Sequence, residues 1–136
     1  MISYGKQFLG AMITFMILDF VWLNYVMENV YADKMRDVAT IVGGKVQINL
    51  VAGLVVYVFL AIGIVFFVLN DLSSEVGLLE VFKIGALFGF VVYGVYDFTN
   101  MATLKSWPLS LALFDIAWGI FATGLVSLVT YKIKTL

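Results

Sequence analysis

Four long apolar stretches, joined by more polar segments, constrain this chain more than any other feature of it. They run over residues 8–25, 46–69, 78–99 and 108–131. Each supplies about the 20 apolar residues that a helix needs to cross a hydrocarbon core of roughly 30 Å. Lipid offers an exposed backbone no hydrogen bonds, so only helices and closed barrels span it, and these runs lack the period-2 alternation of barrel strands. The expected fold is all-α. It is a polytopic membrane protein in which one four-transmembrane-helix bundle takes up residues 1–136. Composition agrees, at 63% hydrophobic and 12% charged residues with a mean hydropathy of +1.07. Soluble domains run about 45–50% apolar and about 25% charged, and a soluble core of this size has no room for so much apolar surface. A cleaved signal peptide is the rival reading of residues 1–25. Asp19 and Trp22 interrupt its apolar stretch, and no small-x-small cleavage site follows.

The connections are short except for residues 26–45, VMENVYADKMRDVATIVGGK. Charge mixed with Met27, Val30, Tyr31, Met35 and Val38 suggests an interfacial helix between the first two spans, ending at Gly43-Gly44. Gln47 and Asn49 then open the second helix, whereas Asp97 and Asn100 close the third. Ser73 or Ser74 is the expected cap of the third helix, with Glu75 near its start. Pro108 suits the first turn of the fourth. Gly85 and Gly89 form G-x-x-x-G, which lets helix backbones approach closely.

Eight Lys+Arg against nine Asp+Glu leave a net charge of −1 and no basic surface for a nucleic acid partner. The chain has no Cys, which excludes disulfides, Fe–S clusters and thiolate chemistry. It has no His, the commonest general base. Zinc is thereby disfavoured. No cofactor is required by the sequence, although a cluster of carboxylates suits Mg²⁺ or Na⁺. Lys6, Lys83, Lys132 and Lys134 fall on one side of the membrane, and Lys34, Arg36, Lys45 and Lys105 on the other. That tie leaves the positive-inside rule undecided and dual topology open, with the basic C-terminal tail favouring cytoplasmic termini.

The polar groups inside the apolar runs are placed unevenly. Asp19 lies six residues before the end of the first run, about 9 Å inside at about 1.5 Å per residue. Asp115 follows Pro108 by seven residues, about 10 Å in. The first and third helices end on the face where the second and fourth begin, so Asp19, Asn49, Asp97, Asn100, Lys105 and Asp115 all belong to one half of the bilayer. The other half offers Thr14, Thr123, Ser127 and Thr130, whose hydroxyls can bond their own backbone. Two acids share the pattern D-x-x-W, DFVW at 19–22 and DIAW at 115–118. An acid and an indole three apart share a helical face, so Trp22 and Trp118 either line a cavity with their acids or sit in the interfacial aromatic belt. Trp107, beside Pro108, reads as a belt residue. An ionised carboxylate at membrane depth must be paired, solvated or protonated. The structural reading bonds these acids to Asn49, Asn100, Tyr31, Tyr93 or Lys105. The functional reading makes the cluster a site that carries a proton or binds a cation.

The stretch YDFTNMATLKSWP at 96–108 carries a further signal. With Asp19 and Trp22, Tyr31, Tyr93-Gly94, Tyr96-Asp97, Thr99-Asn100, Ala102-Thr103, Lys105, Trp107-Pro108, Asp115 and Trp118-Gly119, the chain resembles a domain-of-unknown-function family of small bacterial four-helix predicted membrane proteins. The resemblance covers nearly the whole chain and implies a multi-pass protein of the bacterial cytoplasmic (inner) membrane, without implying an activity. The expected site is Asp19, Trp22, Asn49, Tyr93, Asp97, Asn100, Lys105, Asp115 and Trp118. Its favoured function is a one-sided acidic and aromatic pocket for a small cationic or amphipathic molecule, extended to proton-linked carriage if a homodimer opens a path. The alternatives are a membrane-embedded enzyme acting on a lipid or isoprenoid, and an accessory or structural subunit surrounded by membrane lipid.

Overall fold

The computed structural model describes residues 2–136. Helix α1 (Ile2–Val21) continues into a π-helical turn, Trp22–Val26, and is followed by the short α2 (Glu28–Lys34). Strands β1 (Ile41–Val42) and β2 (Lys45–Val46) form a small hairpin before α3 (Leu50–Gly63), which also ends in a π-helical turn, Ile64–Val68. Helices α4 (Leu78–Thr103) and α5 (Leu109–Thr135) complete the chain. Four segments are long and apolar enough to cross a membrane: Ser3–Val26, Leu50–Val68, Leu78–Thr103 and Leu109–Thr135. The fold is the helical membrane bundle expected.

Several boundaries differ from the sequence expectation, each for a local reason. Gly43-Gly44 does not end an interfacial helix. Both residues have positive φ, 59° and 79°, and form the tight turn of the hairpin, a conformation that glycine adopts without steric penalty. Val46 therefore pairs with Ile41 rather than starting the second helix. That helix begins at Leu50, where the Asn49 side chain accepts a hydrogen bond from the Ala52 N–H at 3.1 Å. Helix α2 stops at Lys34, one residue before Met35. Gly77, not Ser73 or Ser74, occupies the N-cap of α4, with Glu80 in its first turn. Helix α4 runs on to Thr103, past the expected end at residue 99. Pro108 stands just outside α5, extended at φ −70° and ψ 137°. Its carbonyl accepts from the Leu111 and Ala112 N–H groups.

Helix α5 is the most enclosed element, with buried residues along its length from Leu111 to Tyr131. Helix α4 packs tightly against it through the G-x-x-x-G face. A Cβ at Gly89 would lie 2.0 Å from Thr123 Oγ1, and one at Gly85 would lie 2.2 Å from Ser127 Oγ. Only glycine fits either place. Thr14, Thr123, Ser127 and Thr130 each donate to the carbonyl four residues earlier, at 2.6–2.8 Å, as expected. Phe15, Ala61, Ile64, Val65, Val81 and Val126 fill the core at 0–1% exposure. This half of the bundle is tightly packed. At its outer end Lys134 Nζ donates to the Leu69, Asn70 and Leu72 carbonyls, and Tyr131 Oη lies 2.9–3.0 Å from the Ser73 and Val76 carbonyls. These bonds tie the α3–α4 connection to the end of α5.

Candidate binding site

At the opposite end the helices splay around a cavity of about 340 Å³. Asp19 enters it from α1, Trp22 from the π-helical turn that follows, Tyr93 and Tyr96 from α4, and Asp115 and Trp118 from α5. The long connection after α1 forms one wall, with Glu28, Tyr31, Met35, Lys45, Val46 and Ile48. Trp107, between α4 and α5, completes the lining near the membrane surface.

The two D-x-x-W motifs are joined crosswise. Trp118 Nε1 of the second donates to Asp19 Oδ1 of the first at 2.8 Å. Trp22 Nε1 of the first donates to Tyr31 Oη at 3.3 Å, and Tyr31 in turn donates to Asp115 Oδ1 of the second. Between these two links the indoles of Trp22 and Trp118 stack, 4.4 Å apart and 4° from parallel. Burial, followed by the adjacent Asp115 carboxylate, pushes the Tyr31 hydroxyl far above its ordinary pKa, so Tyr31 stays a donor. Gly119 gives Tyr93 its place: a Cβ there would lie 2.3 Å from Tyr93 Cγ.

Asp97 lies behind this network at 0% exposure. Its Oδ1 accepts from Trp107 Nε1 at 3.1 Å, and its side chain is within hydrogen-bonding reach of Asp115. Its Oδ2 is buried with no hydrogen-bond partner. Every tryptophan of the chain thus directs its N–H into the acid network, Trp107 included. The interfacial-belt reading of Trp107 omits this bond. Its ring also meets Tyr96 edge-on, 5.9 Å between centroids, and its indole bond is spent on a buried carboxylate rather than on the membrane surface.

Of the residues expected from sequence, Asp19, Trp22, Tyr93, Asp115 and Trp118 line one cavity, and Asp97 backs it. Asn49, Asn100 and Lys105 do not line it. Asn49 caps α3, Asn100 lies within reach of Tyr96, and Lys105 is exposed in the α4–α5 connection. The cation at the rim is Lys45 instead, paired with Glu28 at 2.5 Å. Glu28, Tyr31, Met35, Lys45, Tyr96 and Trp107 line the cavity but lie outside the expected site. The hairpin that brings Lys45 back over the cavity is signalled by Gly43-Gly44, which also suits a helix end. Among the described residues no three His, Cys, Asp or Glu are grouped to hold a metal ion.

Four apolar spans, with a largely apolar cavity that holds acids at one end, define an integral membrane protein of the helical-bundle class. The family model described as "Predicted membrane protein (DUF2177)" matches residues 4–132, and the chain belongs to this family, whose function is unknown. No curated protein and no solved structure matches the chain.

Proposed function

We propose that the cavity binds a small cationic or amphipathic molecule at one surface of the membrane. The observation that carries this reading is a missing counter-ion. Asp19, Asp97 and Asp115 all lie within membrane spans, yet none is in a salt bridge among the described residues. An uncompensated carboxylate at such depth is unfavourable by several kcal/mol, and an ammonium-type guest offsets that penalty. The stacked indoles and the tyrosine rings offer the faces that such a cation prefers. The apolar walls suit an attached hydrocarbon tail. The tightly packed opposite half favours a one-sided pocket over passage through a single bundle, so carriage would require a second copy. We place the protein in a bacterial cytoplasmic membrane, as the resemblance implies, and its basic C-terminal tail favours cytoplasmic termini.

The test uses the intrinsic fluorescence of the three tryptophans, all of which belong to the network. Protein in nanodiscs of neutral lipid is titrated with tetraphenylphosphonium, a lipophilic cation, against empty nanodiscs. Saturable quenching is expected. Asp19→Asn and Asp115→Asn should each weaken it at least tenfold, about 1.4 kcal/mol. Unchanged affinity in both variants overturns the reading.

A further inference from the structure

We propose that Asp97 and Asp115 hold a single proton between them at the back of the cavity, and that a cation entering the cavity displaces it. The first half does not depend on any guest. The second rests on the cation-binding reading above.

Asp97 Oδ2 is buried and has no partner, although the same side chain lies within hydrogen-bonding reach of Asp115. An ionised carboxylate only accepts hydrogen bonds, so two ionised acids facing each other can make none between them. Asp97 Oδ1 is already served by Trp107, and Asp115 Oδ1 by Tyr31. One proton placed between the remaining oxygens supplies the donor that Asp97 Oδ2 lacks. It also lowers the charge of the pair from two to one.

The groups facing the pair from other elements do not supply that donor. Asp19 faces it from α1 and is itself an acid, while Tyr57 of α3, beyond it, has its hydroxyl within hydrogen-bonding reach of Asp19. Tyr31 of α2 has its proton on Asp115 Oδ1. Tyr93 and Tyr96 approach from α4 itself, and neither donates to Asp97 Oδ2. The Lys45–Glu28 pair stays at the rim, its Lys side chain 62% exposed. A proton is therefore the smallest occupant that completes the site. When a cation settles beside Asp115 and Asp19, it takes over the compensating charge. The O–H bond of the pair breaks heterolytically, and the proton passes to water at the cavity mouth. Cation affinity should then fall as the solution is acidified.

Infrared spectra of the protein in lipid test the shared proton without any guest. Wild type and Asp19→Asn should show a carboxylic-acid C=O stretch that shifts in deuterated water. The band should vanish in both Asp97→Asn and Asp115→Asn, because the new amide donates to the remaining acid and leaves it ionised. Absence of the band from wild type, or its survival in either variant, overturns the shared proton. If either Asn variant misfolds, Asp97→Glu serves instead: it keeps an acid and should move the band, and an unmoved band overturns the assignment. Addition of saturating tetraphenylphosphonium should then remove the band and release about one proton to a weakly buffered indicator. A band that persists while the cation binds saturably overturns the displacement. If no saturable binding occurs, the pocket reading fails, and the guest-free spectra still decide the shared proton.

Discussion

Trp118 and Asp19 show how much one side-chain pair contributes to this molecule. Their bond joins α1 to α5 across 99 positions of sequence, between two half-buried side chains that line the cavity. Trp118→Phe removes the N–H and leaves a ring that can still lie against Trp22. The expected loss is about 1.5–3 kcal/mol, the range for a hydrogen bond to a charged group, read as a lowered midpoint of thermal unfolding in lipid. Asp19→Asn in the Trp118→Phe background should add less than Asp19→Asn does in wild type, because both changes act on one bond. Full additivity would mean that the two residues do not work together. The acid-indole spacing within each helix was legible in the sequence. That the indoles would exchange acids was not, because an i,i+3 pattern places two groups on one face and says nothing about the partner helix.

At the scale of elements, the α4–α5 contact carries the bundle. Gly89→Val should destabilise the protein by about 1–3 kcal/mol, the usual range for overpacking, since Thr123 Oγ1 and the Gly119 carbonyl already occupy the space. Gly94 on the same helix has open space beside it. Gly94→Ala should leave the unfolding midpoint within about 0.5 kcal/mol of wild type. Equal effects at the two positions would remove close packing as the explanation. The spans were readable from apolar run length, but their ends shifted where a turn or a cap competed with the helix. The Gly43-Gly44 turn drew Lys45 and Val46 into a hairpin, and Asn49 took the cap. Because the same residue types serve helix ends and hairpin turns, composition could not separate the two at this connection.

The whole molecule divides into a sealed end and an open one. Lys134 satisfies carbonyls left free where α3 finishes, far from the cavity. Lys134→Ala should lower stability by about 1–2 kcal/mol while leaving tetraphenylphosphonium affinity unchanged, because distant sites behave additively. A parallel fall in affinity would show that the two ends are coupled.

The sequence by itself determined that the chain lives in a membrane, that four helices cross it, and that its intramembrane acids gather in one half. Those properties follow from run length, helical rise and the alternation of direction between successive helices, all of which are local or additive along the chain. Only the tertiary structure decided which acids share a cavity, which indole serves which carboxylate, and that Asp97 Oδ2 is left without a donor. It also turned Asn49 into a cap and replaced Lys105 with Lys45 at the rim. These outcomes depend on helix rotation and on the path of one connection, which are set by glycine-mediated packing between segments far apart in the chain.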